Sequence, residues 1–594
     1  MNPSTALATV LVDELVRQGV RHAVLCPGSR SAPLAYALQE ADRAGRLTLH
    51  VRVDERSAGF LALGLAKLTR VPAVVVTTSG TAVANLHPAV LEAHHGIVPL
   101  IVLSADRPPE LRGTGANQTT VQPGMFGAAV RWSHELATPE RRAGQQAQWR
   151  AVVARAVAAA RGASGDCGPV HLNVPLREPL VPTDDGDWPE SLDGRPNGDP
   201  WTRLTMIRGE GEGEGEGEGE RGSGPGLEPI ARTLVVIGDL PSPDLFGRAV
   251  DWAVAHGWPV VAEPFGGHPR PDVVPHGPLL LTATDWLESH APDRVVTVGR
   301  VTLSRSTAAV VRREGIRVET VTATSSWSDP SGLSAAVHAI SVLDMRPGPG
   351  GALDQLWLGA WLEAGRALAK ALADAAAPWP SGLAVARTVL GSVPAGSAVF
   401  VGSSNAARDL DLAAGGPTSD SSATDSSATE ATAATDIVVV ASRGLAGIDG
   451  CVSTAAGLAL AGDRPAYALL GDLTFLHDAN GLLIGPYEPQ PDLTVVVTND
   501  DGGGIFTLLE PGEPERASDF ERVFGTPTGT DLAALCVAHR VTHRLARTSD
   551  ELRDELSRRP SGLRVVEVPV QRSDHRAVHA RLRESAREAL KRLQ

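Results

Sequence analysis

The two stretches that decide the fold lie in the last quarter of the chain. Residues 466–474 read AYALLGDLT, an apolar run that ends in a Gly-Asp pair, and residues 493–504 read LTVVVTNDDGGG, an apolar run that ends in acidic residues and glycines. Because neighbouring parallel strands end at the same edge of a sheet, we expect Asp472 and Asp500 to lie side by side. Carboxylate oxygens are ligands that Mg²⁺ prefers, and glycine lets the backbone approach a ligand closely. The two stretches therefore predict a cation and phosphate site on a parallel sheet.

The alternation of apolar runs and amphipathic segments extends over most of the chain. The apolar runs predict strands, in three groups, at residues 22–26, 47–53, 72–78, 99–104 and 170–174, then 233–238, 259–262, 294–298 and 317–321, then 398–402, 437–441, 466–470, 493–498 and 563–568. In the first group, helical patterns lie between the strands, at residues 5–18, 31–44, 55–69, 82–95 and 145–161. Near-continuous apolar strands separated by amphipathic helices indicate parallel sheets covered on both faces. We predict an α/β protein with three doubly wound parallel-sheet domains in series.

Two low-complexity stretches interrupt this pattern of strands and helices. Residues 209–220 repeat Gly-Glu, and residues 417–435 contain mainly Ser, Thr, Ala and Asp. Neither composition can bury enough apolar surface to fold, so we expect both stretches to be disordered. The predicted organisation is a first domain at 1–185, a linker at 186–228, a central domain at 229–345 and a third domain at 346–594 with an insertion at 411–436.

Composition restricts the class of protein. The 594 residues carry a formal charge of −15, and eleven of the acidic residues lie in 209–220 and 411–436, which leaves about −4 for the remainder. Such a balance gives no support for nucleic-acid binding. No apolar run reaches the roughly 20 residues of a membrane span, no signal segment opens the sequence, and the four cysteines are widely scattered. We expect a cytoplasmic enzyme or binding protein.

The paired strand ends resemble the diphosphate- and magnesium-binding motif of thiamine-diphosphate enzymes. The resemblance implies that Asp472, Asp500 and the carbonyl of Gly502 ligate Mg²⁺, or Mn²⁺ in its place. Three neighbours would also contact the cofactor: Gly471, Leu473 and Thr474. The family commonly has Asn at the position of Asp500, so Asn499 remains open as the side-chain ligand.

A glutamate outside the third domain completes the expected cofactor site. Residues 54–59 read DERSAG and follow a predicted strand where a helix begins. By itself, Glu55 is explained by the preference of acidic residues for helix N-termini. The resemblance implies that Glu55 is catalytic, because the equivalent glutamate hydrogen-bonds the pyrimidine ring of the cofactor and promotes its reactive tautomer.

Four longer stretches point to one group of these enzymes. Residues 26–34 (CPGSRSAPL), 104–111 (SADRPPEL), 115–118 (GANQ) and 442–450 (SRGLAGIDG) closely resemble the 2-succinyl-5-enolpyruvyl-6-hydroxy-3-cyclohexene-1-carboxylate synthases of menaquinone biosynthesis. The resemblance implies that 2-oxoglutarate is decarboxylated and that its remaining carbon unit is added to isochorismate. It also implies a homodimer, or a dimer of dimers, with active sites at the subunit interface.

Both substrates of that reaction are dicarboxylates, which arginine binds with paired hydrogen bonds. The resemblance implies substrate contacts from basic, polar and apolar side chains, namely Arg30, Arg107, Arg305, Arg408 and Arg443, then Ser29, Asn117, Gln118 and Ser404, then Ile505 and Phe506. Ile448 would support the cofactor in its bent conformation.

Two alternatives stay open at this point. One is a thiamine-diphosphate enzyme with another acceptor, such as an acetolactate synthase or a simple 2-oxoacid decarboxylase. The other is an inactive ligand-binding protein that keeps the scaffold. The number of arginines at predicted strand ends argues against the first alternative. Intact Glu55 and Asp472 argue against the second.

Overall fold

The computed structural model describes residues 1–163, 165–184, 186–203, 227–346, 354–374, 377–415 and 437–593. The Gly-Glu repeat and the stretch 417–435 lie outside these ranges, so the expectation that they are disordered stays a prediction. The chain divides into two compact units. The first contains Met1–Glu210, Ser442–Asp463 and His477–Asp492, and the second contains Gly211–Ala441, Arg464–Leu476 and Leu493–Gln594. The domain boundaries drawn from the sequence remain a prediction beside these contact-based units.

The first unit contains a parallel sheet. Six strands of the described chain form it, in the order β2-β1-β3-β4-β6-β5. They are β1 (His22–Leu25), β2 (Thr48–Val51), β3 (Ala73–Thr77), β4 (Leu100–Asp106), β5 (Trp132–Glu135) and β6 (Pro169–Pro175). β3 and β4 are buried along their whole length, as expected of a sheet covered on both faces. The sequence did not predict β5, whose four residues include two that are exposed.

Helices alternate with these strands. They are α1 (Pro3–Arg17), α2 (Ala32–Arg43), α3 (Glu55–Lys67), α4 (Thr81–Ala84), α5 (His87–His95) and α6 (Gln146–Ala160). The sequence predicted one helix at 82–95, and the structure has two, α4 and α5. The interruption comes just before Pro88, which occupies the first turn of α5. Proline is tolerated in a first turn but breaks a helix interior, so the single-helix prediction was wrong at this position.

The second unit contains two sheets. Its first group of strands comprises β7 (Thr233–Ile237), β8 (Val260–Ala262), β9 (Gly266–His268), β10 (Arg294–Val298), β11 (Arg317–Thr322) and β12 (Ser334–Ala339). Within the described ranges, five of these strands form a parallel sheet in the order β12-β11-β10-β7-β8. β9 instead joins the third sheet, where it pairs antiparallel with β14 (Ile437–Ala441).

The third sheet carries the stretches that opened the sequence analysis. Counted over the residues that the structure describes, it has seven strands in the order β17-β18-β16-β15-β13-β14-β9. Besides β9 and β14 these are β13 (Ala398–Val401), β15 (Ala466–Gly471), β16 (Leu493–Asn499), β17 (Thr542–Leu545) and β18 (Leu563–Pro569). All pairs except β14 with β9 are parallel. The α/β fold with three sheets is therefore confirmed, with one antiparallel edge strand that the sequence did not predict.

The remaining helices flank these sheets. They are α7 (Asp244–Ala255), α8 (Gly277–Leu280), α9 (Thr284–Ser289), α10 (Arg305–Val311), α11 (Gln355–Asp374), α12 (Gly382–Ser392), α13 (Asn405–Ala413), α14 (Cys451–Ala461), α15 (Asp472–His477), α16 (Ala517–Phe520), α17 (Leu532–Ala538), α18 (Ser549–Ser557) and α19 (His575–Lys591). The insertion predicted at 411–436 begins too early, because residues 411–413 form the last turn of α13. Apolar residues from both sheets of the second unit and from α11 share one core, in which Trp361 is fully buried.

Two helices of the first unit touch through their backbones. A Cβ atom added at Gly64 of α3 would lie 2.1 Å from the carbonyl oxygen of Thr454 in α14, and one added at Gly457 of α14 would lie 2.3 Å from the carbonyl oxygen of Leu61. Glycine normally destabilises a helix interior relative to alanine by about 1 kcal/mol. Here its lack of a side chain is required by the close helix–helix approach.

Replacing Gly457 by Ala should destabilise the protein although alanine is the better helix former. The added methyl group cannot fit against Leu61, and overpacking of this kind costs roughly 1–3 kcal/mol. Urea unfolding followed by circular dichroism would measure the change. The matched control is Gly247→Ala in α7, where nothing lies within 4 Å of the added Cβ. The control should be neutral or gain up to about 1 kcal/mol. Equal effects of the two changes would refute the packing argument.

Candidate active site

Asp472 and Asp500 directly follow two neighbouring strands of the third sheet. β15 and β16 pair in parallel register, with Gly471 opposite Thr498, and Asp472 and Asp500 lie just beyond the two strand ends. Asp472 is 3% exposed, and its Oδ2 accepts a hydrogen bond of 2.8 Å from the backbone N–H of Gly502. The sequence prediction that these residues meet at one sheet edge agrees with this geometry.

The two oxygens of Asp500 have different surroundings. Oδ2 lies 2.8 Å from Nε2 of His575, whereas Oδ1 is buried and has no hydrogen-bond partner. By comparison, both the nitrogen and the oxygen of the Asn499 side chain have hydrogen-bond partners. Its amide donates to Glu567 Oε1 at 2.7 Å, and its Oδ1 accepts the N–H of Asp501 at 3.0 Å. The free oxygen favours Asp500 over Asn499 as a side-chain ligand.

The electrostatics of this pair favour a bound cation. Burial, and then the negative charge of Asp500, raise the pKa of Asp472 to about 7, against the opposing effect of backbone N–H groups. Like-charged carboxylates in a buried site destabilise each other's charged form. Within the described ranges, no three His, Cys, Asp or Glu side chains form a metal cluster. A cation here would need further oxygen ligands from the backbone and from a bound phosphate.

The glycine loop after β16 is held tightly in place. Gly502 has φ +148°, and a Cβ there would lie 2.0 Å from the carbonyl oxygen of Gly525. The backbone N–H of Gly503 donates to the same oxygen at 2.7 Å. Arg572 donates to the carbonyl of Asp500 at 3.0 Å and to the carbonyl of Asp501. Only glycine fits at position 502, and the loop conformation is fixed by these contacts.

The other predicted residues of the second unit lie on several elements. Leu473 and Thr474 are in the first turn of α15, and Ile505 and Phe506 form part of the 3₁₀ turn after the glycine loop. Ser404 precedes α13 with φ 81°, and its carbonyl accepts a hydrogen bond of 2.9 Å from Arg408 one turn later.

Arg305 begins α10 and is largely exposed. Its guanidinium forms a salt bridge of 3.1 Å with Glu510, which lies just after the 3₁₀ turn that contains Ile505 and Phe506. The salt bridge brings the first residue of α10 to the loop that follows Phe506. Exposed pairs of this kind contribute little to stability, so Arg305 can exchange Glu510 for another anion.

Glu55 is the first residue of α3 in the first unit. The preceding residue, Asp54, caps the helix by accepting the N–H of Arg56 at 2.8 Å. Asp54 is held in turn by the side-chain amide of Asn480 at 2.7 Å. Among the described residues, the Glu55 carboxylate has neither a hydrogen-bond donor nor an ion-pair partner. Asp54 thus caps the helix, and the carboxylate of Glu55 is left available to a ligand.

A cluster in the first unit links the predicted substrate contacts Arg107 and Gln118 through Ser79. Burial, and then the charge of Arg107, lower the pKa of Arg30, whose guanidinium donates to the carbonyl of Leu176 at 2.9 Å and lies 3.8 Å from the carboxylate of Glu178. Arg107 follows β4 and donates to the hydroxyl of Ser79, which donates in turn to the carbonyl of Gln118 at 2.9 Å. Ser29 lies next to Arg30 in the turn before α2, whereas Asn117 is exposed on the loop.

A buried polar network lies beneath this cluster. The amide of Gln122 accepts the N–H of Gly80 at 2.9 Å and donates to Asn173 at 2.9 Å. Asn173 and His171, on β6, both hydrogen-bond Ser104 of β4. The sequence analysis missed Ser79, Gln122 and His171, because these partners lie 28–67 residues away and no spacing pattern connects them.

The loop that carries Arg443 and Ile448 is fixed by another residue that the sequence analysis missed. Glu92, which is 4% exposed near the end of α5, accepts the N–H of Gly444 at 2.8 Å and the N–H of Leu445 at 2.7 Å. Charge-assisted hydrogen bonds of this kind are roughly twice as strong as neutral ones. Arg443 is 6% exposed beside this contact, and Ile448 is half-buried before α14.

Comparison with known proteins identifies the family. A family model described as "Thiamine pyrophosphate enzyme, N-terminal TPP binding domain" matches residues 5–125. Relatives from Saccharopolyspora erythraea and Kineococcus radiotolerans are 48% and 47% identical, each over 99% of this chain and 100% of its own length. A relative from Rhodococcus jostii is 46% identical over 98% of this chain and 99% of its own length. All three are named 2-succinyl-5-enolpyruvyl-6-hydroxy-3-cyclohexene-1-carboxylate synthase.

The chain belongs to this synthase family. The resemblance drawn from the four sequence stretches is thereby confirmed. Membership also agrees with the paired carboxylates of the second unit and with the unpartnered Glu55 of the first. The roles of individual residues in this member of the synthase family remain predictions.

His171 should make the stability of this synthase-family protein depend on pH. Burial lowers the pKa of His171 to about 4. An unfolded histidine binds a proton below about pH 6.5, so the unfolded state takes up more protons between these two values. The free energy of unfolding should therefore decrease as the pH falls, by about 2 kcal/mol from this residue at pH 5.

The variant His171→Gln would measure this contribution. Glutamine can still bond the Ser104 hydroxyl but does not titrate. Urea unfolding at pH 7 and pH 5 should show a smaller loss of stability in the variant than in the unchanged protein. The other histidines are common to both proteins and cancel in the difference. Parallel losses would mean that His171 is not held neutral in the folded state.

Proposed function

We propose that this chain catalyses the thiamine-diphosphate-dependent decarboxylation of 2-oxoglutarate and the addition of the remaining carbon unit to isochorismate, in menaquinone biosynthesis. The product would be the carboxylate for which its relatives are named. The observation that carries the proposal is the pair Asp472 and Asp500 at adjacent strand ends, with one buried oxygen of Asp500 left unpartnered. Family membership supports the same activity.

The second unit would hold the diphosphate end of the cofactor and a divalent cation. Asp472, Asp500 and the carbonyl of Gly502 would ligate Mg²⁺, or Mn²⁺ in its place. The unpartnered Oδ1 of Asp500 and the raised pKa of Asp472 fit a cation between the two carboxylates. Gly471, Leu473 and Thr474 would contact the cofactor beside it. Thiamine diphosphate, when bound, supplies the carbon nucleophile and the electron sink for decarboxylation.

Glu55 would act on the pyrimidine ring of the cofactor. Its carboxylate sits at the start of α3 without a partner among the described residues, and a hydrogen bond to a ring nitrogen would control the tautomer of the ring. Ile448 would support the bent form of the cofactor from the loop that Glu92 holds. The protein thus contributes orientation and proton control, while the cofactor contributes the reactive carbon.

Arginines would bind the two dicarboxylate substrates. The pKa of Arg30 is lowered by burial and then by the charge of Arg107, so a bound carboxylate would stabilise the charged guanidinium. The remaining contacts would come from Arg305, Arg408 and Arg443, from Ser29, Asn117, Gln118 and Ser404, and from the apolar side chains Ile505 and Phe506. Holding two reactants in a fixed geometry lowers the barrier by several kcal/mol.

A homodimer, or a dimer of dimers, with shared active sites is part of the proposal. The first unit exposes apolar side chains that a partner subunit would cover. Val53, two residues before Glu55, is 73% exposed, and Tyr487 is 97% exposed. Large exposed apolar side chains are common at interaction sites.

A cytoplasmic location is also proposed. All four cysteines lie in the described ranges as free thiols, which is usual in reducing compartments. Over the residues searched, no helix is long and apolar enough to cross a membrane.

Replacing Glu55 by Gln should nearly abolish turnover while the fold is kept. The test measures loss of isochorismate absorbance with 2-oxoglutarate, thiamine diphosphate and Mg²⁺ present. An amide cannot share a proton with the pyrimidine ring as a carboxyl group does, whereas cofactor binding should largely survive. The control is Glu40→Gln on α2, a surface glutamate paired with Arg43, which should keep full activity. Near-normal turnover of Glu55→Gln would remove its catalytic role, and no isochorismate loss in the unchanged protein would refute the proposed function.

Mixing two inactive variants tests whether each site is shared between subunits. Glu55→Ala and Asp472→Ala are prepared separately and mixed under conditions that allow subunit exchange. In a hybrid dimer, one site carries both lesions and the other carries neither. With random exchange about half of the dimers are hybrids, so activity should recover to roughly a quarter of the normal value. If native mass spectrometry shows hybrids and activity stays absent, the shared-site model is wrong.

A further inference from the structure

The carboxylate of Asp500 is held by a histidine from a distant part of the sequence. His575, the first residue of α19, is 7% exposed, and its Nε2 lies 2.8 Å from Oδ2 of Asp500. An ionised carboxylate only accepts hydrogen bonds, so Nε2 carries the proton and donates. The contact occupies one oxygen and leaves the buried Oδ1 without a partner.

Gly504 leaves room for the contact between His575 and Asp500 because it has no side chain. A Cβ atom at Gly504 would lie 1.8 Å from Asp500 Oδ2 and 3.0 Å from His575 Nε2. The hydrogen-bonded pair therefore fills the space that any other residue at 504 would need. The fit confines the carboxylate to an orientation in which Oδ2 faces the histidine.

A second contact ties the same two segments together. Arg572, three residues before His575, donates to the backbone carbonyls of Asp500 and Asp501. The backbone N–H of Val570 also donates to the carbonyl of Asn499 at 2.8 Å. The segment that leads into α19 is thus fixed to the end of β16 through backbone as well as side-chain groups. His575 meets Asp500 from a rigid position.

We propose that His575 is a positioning residue for the divalent cation, because it fixes Asp500 Oδ2 and thereby directs Oδ1 at the metal. The inference rests on the proposed function, which places the cation between Asp472 and Asp500. A ligand that is held by a hydrogen bond loses less freedom when the metal binds. Partners of this kind are worth roughly 10–100-fold in metal affinity.

Mn²⁺ binding to the full-length protein tests this role without reference to turnover. Free Mn²⁺ is followed by its electron paramagnetic resonance signal during titration at a fixed, saturating concentration of thiamine diphosphate. His575→Leu removes the donor and should weaken Mn²⁺ binding at least about tenfold. His575→Gln can place an amide N–H near the position of Nε2, so it should bind within about threefold of the unchanged protein, whereas the shorter His575→Asn should resemble His575→Leu.

The matched control is a histidine–carboxylate pair elsewhere in the second unit. His338 on β12 lies 2.9 Å from Glu319, whose side chain is 2% exposed, and neither residue belongs to the candidate site. His338→Leu should leave Mn²⁺ affinity unchanged. An equal loss in His338→Leu and His575→Leu would mean that the effect is general destabilisation, and the positioning role would be wrong. If His575→Leu does not fold, the difference between His575→Gln and His575→Asn decides, and equal affinities overturn the role.

Asp472→Ala in the same titration distinguishes an error in the proposed metal site from an error in the role of His575. If it binds Mn²⁺ as tightly as the unchanged protein, the proposed metal site itself is wrong. If it binds more weakly while all His575 variants bind normally, the metal site stands and the role of His575 is refuted.

Discussion

The repulsion between two carboxylates governs the candidate site of the second unit. Asp472 and Asp500 are brought together because β15 and β16 are parallel neighbours, and burial deprives both of the water that would screen their charges. The surrounding chain reduces this repulsion only in part. The N–H of Gly502 is directed at Asp472 and the ring of His575 at Asp500, and one oxygen is still unmatched. The cation of the proposed function would offset the repulsion that is left.

The sequence predicted the sheets well where strands are apolar and poorly where they are not. Strands such as β3 and β16 contain continuous runs of valine, which predict a buried strand directly. The missed strands lie at sheet edges and contain polar or small residues, as in Trp132–Glu135 and Thr542–Leu545. An edge strand pairs with a single neighbour through one ladder of hydrogen bonds, so it can form without a continuous apolar run. β9 is only three residues long and crosses from one sheet group to another, which no local pattern records.

The candidate site shows the same division between local and distant information. Asp472, Asp500 and Glu55 were predictable because each follows an apolar run at a strand end. His575, Glu92 and Gln122 were not, since each acts through a partner far away in the chain and the residue type alone is uninformative. Positions that contact a ligand lie at strand ends by topology, whereas the residues that hold them in place can come from any element that packs nearby.

The backbone contact between α3 and α14 has a consequence for motion within the first unit. Side chains between two helices can change rotamer and absorb small displacements, but at Gly64 and Gly457 the two backbones meet directly. Glu55 stands at one end of α3, and Ile448 lies just before α14 begins. Any shift of one helix is therefore transmitted to the other as a displacement of the whole pair. We therefore expect Glu55 and Ile448 to keep a constant separation during thermal fluctuation.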